Sequence, residues 1–165
     1  MPKHLTSVGI FIGLLFVWSL PCFGQRTLVV VRHADKIDDS HDAVLSPTGE
    51  AQAKRLAHVL KDLGISAIYT TQFKRTIQTA TPLAELLKIK LLSYEQTDVD
   101  GVVKEIQKRH SKEVVMVVGH RSTVPRVLKQ FGASEPVALG SSEYDSLFVL
   151  TLPPGQSPTL LHLRF

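Results

Sequence analysis

Thr27-Leu28-Val29-Val30-Val31-Arg32-His33 is an apolar, valine-rich run that ends in a guanidinium and an imidazole. A second run of the same kind, Val114-Val115-Met116-Val117-Val118-Gly119, ends in His120. Short segments that are apolar at every position, rather than at alternate ones, are the pattern of strands covered on both faces. As parallel strands of one sheet, the two runs bring Arg32, His33 and His120 to strand carboxyl ends. Open α/β sheets form their ligand crevice there, so two distant parts of the chain build one site.

Segments of helical period separate the valine-rich runs, which marks βαβ units and a mostly parallel sheet covered by helices, an α/β three-layer sandwich. Ser46 and Pro47 start a helix whose apolar face is expected at Leu56, Val59, Leu60 and Leu63, with Gly64 ending it. Ile65 to Tyr69 reads as a second strand, and Thr71 as the cap of a helix that Pro82 kinks or divides. Ile89 to Tyr94 is a third strand, followed by a helix with Val99, Val102, Val103 and Ile106 on one face. Behind His120, Ser122 or Thr123 caps a helix marked by Val124, Val127, Leu128 and Phe131, whose amino end favours an anion. Ser146 to Leu152 and Thr159 to Phe165 close the chain as a hairpin or two edge strands.

The chain has 165 residues, 44% of them hydrophobic and 21% charged, which fits one globular domain with a sizeable core. Its start differs: Lys3 and His4 lead into an apolar stretch from Val8 to Leu20, then Pro21, Cys22 and Gly24. This reads as a secretory signal peptide over residues 1–24, cleaved after Gly24, with the domain over 25–165 and a secreted or periplasmic destination. The alternative is an uncleaved membrane anchor. Lipidation at Cys22 fits poorly, because Ser19-Leu20-Pro21 is a poor lipobox. Cleavage removes Lys3 and no acid, taking the formal charge from +4 to +3, and removes the sole cysteine. A cysteine nucleophile is thereby excluded. The basic excess is dispersed and not interleaved with aromatics, so no nucleic-acid partner is expected, and none in the membrane after cleavage.

Four stretches carry the chemistry: Val31-Arg32-His33-Ala34-Asp35-Lys36, Leu45-Ser46-Pro47-Thr48-Gly49-Glu50-Ala51, Tyr69 to Ala80 with Arg75 inside it, and Val117-Val118-Gly119-His120. A lone histidine after a strand is usually a loop or packing residue. In this order and spacing, however, the four stretches resemble the histidine phosphatase superfamily, also called phosphoglycerate mutase-like, and its small branch related to phosphohistidine phosphatases. The resemblance covers the mature chain. It implies the phosphoglycerate mutase-like fold and a metal-independent, cofactor-free phosphatase that forms a phosphohistidine on His33. Its substrate is then a small phosphomonoester or a phosphorylated peptide or protein.

By the same resemblance, Arg32 and Arg75 bind phosphoryl oxygens with forked donors, and His120 completes the pocket as charge develops. His33 must present an unprotonated nitrogen, and two adjacent arginines lower its proton affinity. The same field discourages a protonated His120 until substrate is bound. The donor to a leaving alkoxide is expected at Asp98 or Asp100, with Glu95, Asp35 and Asp145 as competitors. Lys36, in a polar loop with Asp38, Asp39, Ser40 and Asp42, is a candidate substrate contact, as is Ser122; capping alone also explains Ser122 and Thr123. Glu143-Tyr144-Asp145 could approach the pocket. Thr79 and Ala80 read as packing residues, and His4, His41, His58, His110 and His162 as surface or interior ones. No His-Glu-x-x-His motif is present, so no metal is expected. Rival readings are a phosphoglycerate-mutase-type phosphotransferase and an anion-binding module without turnover.

Overall fold

The computed structural model describes residues 25–165. The signal-peptide reading of residues 1–24, with cleavage, anchoring or lipidation, lies outside the described residues. In chain order the elements are β1 (Arg26–Arg32), α1 (Pro47–Leu60), β2 (Ile65–Thr71), α2 (Lys74–Leu87), β3 (Leu91–Tyr94), α3 (Val99–Arg109), β4 (Val114–Gly119), α4 (Thr123–Gln130), β5 (Ser146–Leu152) and β6 (Thr159–Arg164). The strands form one sheet in the order β3-β2-β4-β1-β5-β6. β1 to β4 are parallel, and β5 runs antiparallel to both β1 and β6. The expected three-layer α/β architecture is what the chain adopts.

The uninterrupted apolar character of β1 and β4 follows from this placement. Alternate residues point to opposite faces of a strand. Leu28, Val30, Val115 and Val117 pack in a core that includes residues of α3 and α4, whereas Val29, Val31, Met116 and Val118 pack in one that includes residues of α1 and α2. A strand buried on both sides has no solvent face to make polar.

Several local expectations change. The buried face of α1 is Gly49, Ala53, Leu56, Ala57 and Leu60; Val59 and Leu63 are exposed at 54% and 41%. The helix lies close enough to its neighbours that alanine, not a larger residue, fills the inner turn. Gly49 is required by packing, since a Cβ there would stand 2.0 Å from the Asp35 carbonyl oxygen. Ser46 does cap α1, accepting from Gly49 N–H at 3.0 Å. Thr71 does not cap α2: the N-cap is Phe73, without a side-chain bond, and Thr71 is the last residue of β2. Pro82 sits inside a continuous α2, removing one backbone donor without dividing the helix. Among the described residues no helix is long and apolar enough to cross a membrane.

Candidate active site

The crevice at the carboxyl ends of β1 and β4 begins where the sheet stops. Arg32 pairs with Gly119 in register, and His33 N–H donates to the Gly119 carbonyl at 2.9 Å, one rung further. This fixes the backbones that carry His33 and His120, whose ring centroids lie 5.3 Å apart at 63°. A cavity of about 370 Å³ opens there, lined by Arg32, His33, Lys36, Arg75, His120 and Ser122 of the expected residues. Asp39, Ser40, His41, Phe73, Gln96 and Arg121 complete its wall.

His33 is 4% exposed, and its Nδ1 lies 2.8 Å from the Ala34 carbonyl oxygen. A carbonyl only accepts, so Nδ1 carries the proton and, in the neutral ring, Nε2 carries the lone pair. Proton affinity is lowered to about 4. Burial is the largest cause; the nearby charges of Arg32, Arg75 and Lys36 add to it, and the Ala34 bond opposes it. The two arginines lower the ring's proton affinity as expected, and the closed position of the ring lowers it more.

Arg32 is held by the segment that precedes β5. Its Nη1 donates to the carbonyls of Gly140, Ser141 and Glu143 at 2.9, 2.9 and 3.0 Å, and the Tyr144 ring lies 4.0 Å from the guanidinium carbon. Nη1 is thus committed to the protein. Nε is buried without a partner among the described residues. A buried donor without an acceptor is a costly arrangement. Arg75 comes from the first turn of α2; its Nη1 donates to the His41 carbonyl at 2.8 Å, and its guanidinium carbon lies 4.5 Å from the Phe73 ring centroid.

His120 is 5% exposed, and its proton affinity is lowered to about 3, first by burial and then by His33, Arg75 and Arg32. Its N–H donates to Thr123 Oγ1 at 2.8 Å, while its Nε2 lies 2.9 Å from Thr71 Oγ1. Thr123 therefore bonds the backbone of His120, while Ser122, the N-cap of α4, makes no side-chain cap and faces the cavity.

The expected proton donors are elsewhere. Asp98 caps α3, accepting from Gly101 N–H at 2.9 Å, and Asp100 accepts from Gln130 and faces Arg126 of α4. Neither lines the cavity, because the turn into α3 directs them toward helix-capping and helix-helix roles. Glu95 is absent from the cavity wall, Asp35 accepts from Ser46, and Asp145 pairs with Arg164. Among the described residues the one carboxylate on the wall is Asp39, exposed and 2.5 Å from Lys36 Nζ.

Other residues on the site escaped the sequence reading. His41 belongs to the wall and its carbonyl orients Arg75, although its loop has no periodicity to mark it. Phe73 touches three of the site's groups, with centroids 5.0 Å from His41 and 5.4 Å from His120 beside the Arg75 contact. Its place between Gln72 and Lys74-Arg75 was the available signal. Tyr144, by contrast, belongs to the stretch expected to approach the pocket, and it lies against both Arg32 and His33, the latter at 5.8 Å between centroids.

Residues 28–98, the segment that holds His33 and Arg75, match the sequence model of the histidine phosphatase superfamily, branch 1. No curated protein matches the chain. Among solved structures, the protein histidine phosphatase SixA in complex with tungstate is similar at TM-score 0.69 and 20% identity, covering 84% of this chain and 96% of that one. A mycobacterial glucosyl-3-phosphoglycerate phosphatase matches at TM-score 0.66 and 15% identity, covering 82% and 97%. A phosphoserine phosphatase from Entamoeba histolytica, in complex with 3-phosphoglyceric acid, matches at 0.64 and 15%, covering 85% and 97%. At such identities the likeness is one of fold.

Proposed function

We infer that this chain is a metal-independent phosphatase of the histidine phosphatase superfamily that hydrolyses phosphomonoesters or phosphohistidine through a phosphoryl group carried on His33. The observation that carries the reading is the tautomer of His33. With Nδ1–H bound to the Ala34 carbonyl, the Nε2 lone pair belongs to the ring nitrogen that the protein leaves unbonded, in a cavity also lined by Arg32 and Arg75. A nucleophile must be unprotonated at working pH, and burial keeps His33 so.

In the first step Nε2 bonds to phosphorus as the bond from phosphorus to the leaving oxygen or nitrogen breaks. In the second, water bonds to phosphorus and the electron pair of the N–P bond returns to Nε2. Arg32 and Arg75 supply fixed positive charge to the equatorial oxygens, whose negative charge such a transfer spreads. Lys36 and Ser122, on the wall, add contacts for the phosphoryl group or the rest of the substrate. The printed functions of the three similar structures, which act on phosphohistidine, a phosphorylated sugar acid and phosphoserine, support the phosphoryl class. The basic, apolar and small-residue order of residues 1–24 supports export.

One experiment tests the reading: the purified chain is assayed against phosphomonoesters and phosphohistidine, with and without chelator, beside His33→Ala. Turnover that survives chelation and vanishes in the variant is expected. Full activity in His33→Ala would sink the mechanism, and no activity in either would favour an anion-binding module.

A further inference from the structure

A leaving oxygen needs a proton, and the carboxylates expected to give it do not line the cavity. The order of hydrogen bonds behind His120 shows another source. Thr76 Oγ1 lies 2.8 Å from the Phe73 carbonyl oxygen and 3.0 Å from that of Thr71. Carbonyls only accept, so the single hydroxyl proton of Thr76 points to them; turned away, lone pairs would face lone pairs. Thr76 must then accept from Thr71 Oγ1, at 2.9 Å. The Thr71 proton is thereby committed, and its oxygen accepts from His120 Nε2, at 2.9 Å. Thr71 and Thr76 are fully buried, so water does not compete for these bonds.

His120 is therefore protonated at Nε2, the opposite tautomer to His33, and in the neutral ring its lone pair is on Nδ1. Nδ1 makes no hydrogen bond among the described residues and is not among the buried atoms left without a partner. The protein thus presents two imidazole lone pairs at the crevice, on His33 Nε2 and His120 Nδ1.

We propose that His120 Nδ1 is the acid–base group of the reaction, and that Thr71 and Thr76 are positioning residues that decide which nitrogen of His120 does this work. The proposal rests on the phosphatase reading above. The substrate brings the proton: the monoanion of a phosphoric ester transfers it to Nδ1 on binding. As the P–O bond to the leaving group breaks, the leaving oxygen takes that proton. Nδ1, again unprotonated, then accepts a proton from the attacking water as the N–P bond of His33 breaks, and gives it up with the departing phosphate.

The charged and titratable groups sharing the cavity with His120 are Arg32, His33, Lys36, Asp39 and His41 from β1 and the segment after it, Arg75 from α2 and the adjacent Arg121. Cations predominate, and Asp39 is bound to Lys36. A proton on Nδ1 is favourable only beside the anion, so the two enter together.

The test combines imidazole nitrogen NMR on the full chain with turnover. In wild type without ligand at pH 7, His33 is expected as Nδ1–H and His120 as Nε2–H; inorganic phosphate should bring a second proton to His120. Because productive binding takes up one proton, kcat/KM should fall about tenfold per pH unit above the second phosphate ionisation near pH 6. Thr71→Val should move the His120 proton to Nδ1, flatten that limb and lower kcat on an alkyl phosphate by about 100-fold, with a smaller loss on nitrophenyl phosphate, whose leaving group needs no proton. Thr71→Ser should restore tautomer and profile, and Asp39→Asn, on the cavity wall beside Lys36, should keep the alkaline limb whatever it does to the rate. Turnover by a wild type whose empty site holds His120 as Nδ1–H would overturn the acid–base assignment alone, as would a lost alkaline limb in Asp39→Asn. The expected tautomers without turnover of any phosphoryl compound would overturn the phosphatase reading instead.

Discussion

Acidification should destabilise this protein through His33 and His120, and glutamine at either position should relieve a definite part of the effect. Unfolded, each imidazole titrates near 6.5; folded, they are held to about 4 and about 3. As pH falls below 6.5 the unfolded chain takes up protons that the native chain refuses, so stability falls with pH, and each loss is complete only below the folded value. Between pH 7 and 5 each histidine contributes a loss of about 2 kcal/mol, at 1.36 kcal/mol per pH unit over the interval in which only the unfolded state is protonated. The two together give about 4 kcal/mol, a large share of a typical domain's stability. The assay is urea unfolding followed by circular dichroism at pH 7 and pH 5. His33→Gln and His120→Gln should each shrink the acid loss by about 2 kcal/mol. Carboxylates held below their ordinary range, such as Asp42 beside Lys74 and Glu143 beside Ser146, lose stabilisation over lower pH in all three proteins and cancel in the comparison. Acid losses that run parallel in wild type and both variants would refute the claim that burial holds these rings neutral.

Further expectations test the frame around the two rings. Tyr144→Ala removes the face against which Arg32 rests, an interaction of about 1–2 kcal/mol when desolvated, and should lower kcat/KM about tenfold; unchanged kinetics would remove Tyr144 from the site. Gly119→Ala would place a Cβ 2.6 Å from Thr123 Oγ1, the acceptor for His120 N–H, so a loss of about 1–3 kcal/mol in urea unfolding is expected together with lost turnover. Asp98→Ala removes the α3 cap and should cost about 1 kcal/mol of stability while leaving turnover intact, and Asp100→Asn should also leave turnover intact; a collapse of activity in either would return the proton to the α3 turn.

The sheet was legible because its strands are short, valine-rich and separated by helices with clear apolar faces; α3 and α4 bury the residues their periodicity names. The four stretches around His33, Ser46, Arg75 and His120 likewise pointed to strand ends and helix starts, and His33, Arg75 and His120 line one cavity. The α1 face was misread because small residues, Ala53 and Ala57, take the buried positions where helix meets helix, and a count of large apolar side chains passes over them. Asp98 and Asp100 stand away from the cavity for a different reason. Asp98 and Asp100 lie at the right distance along the chain, but whether a carboxylate points to a crevice or caps its own helix depends on one turn of backbone, which spacing does not encode. Thr71 shows the same limit from the other side: it looks like a cap, and its fate under His120 depends on β4 lying beside β2.

β1 carries the first-made residues of the crevice and lies between β4 and β5. Its Thr27 pairs with Val114 and its Arg26 with Leu152, so neither edge of this strand has its partner until most of the chain has been synthesised. The Arg32 clamp at Gly140, Ser141 and Glu143 arrives equally late. A ribosome-bound chain that ends before residue 114 has His33 but no β4 ladder to hold it, and one that ends before 140 has that ladder but no clamp on Arg32. The order of synthesis thus makes the geometry of the crevice the last part of the fold to be completed.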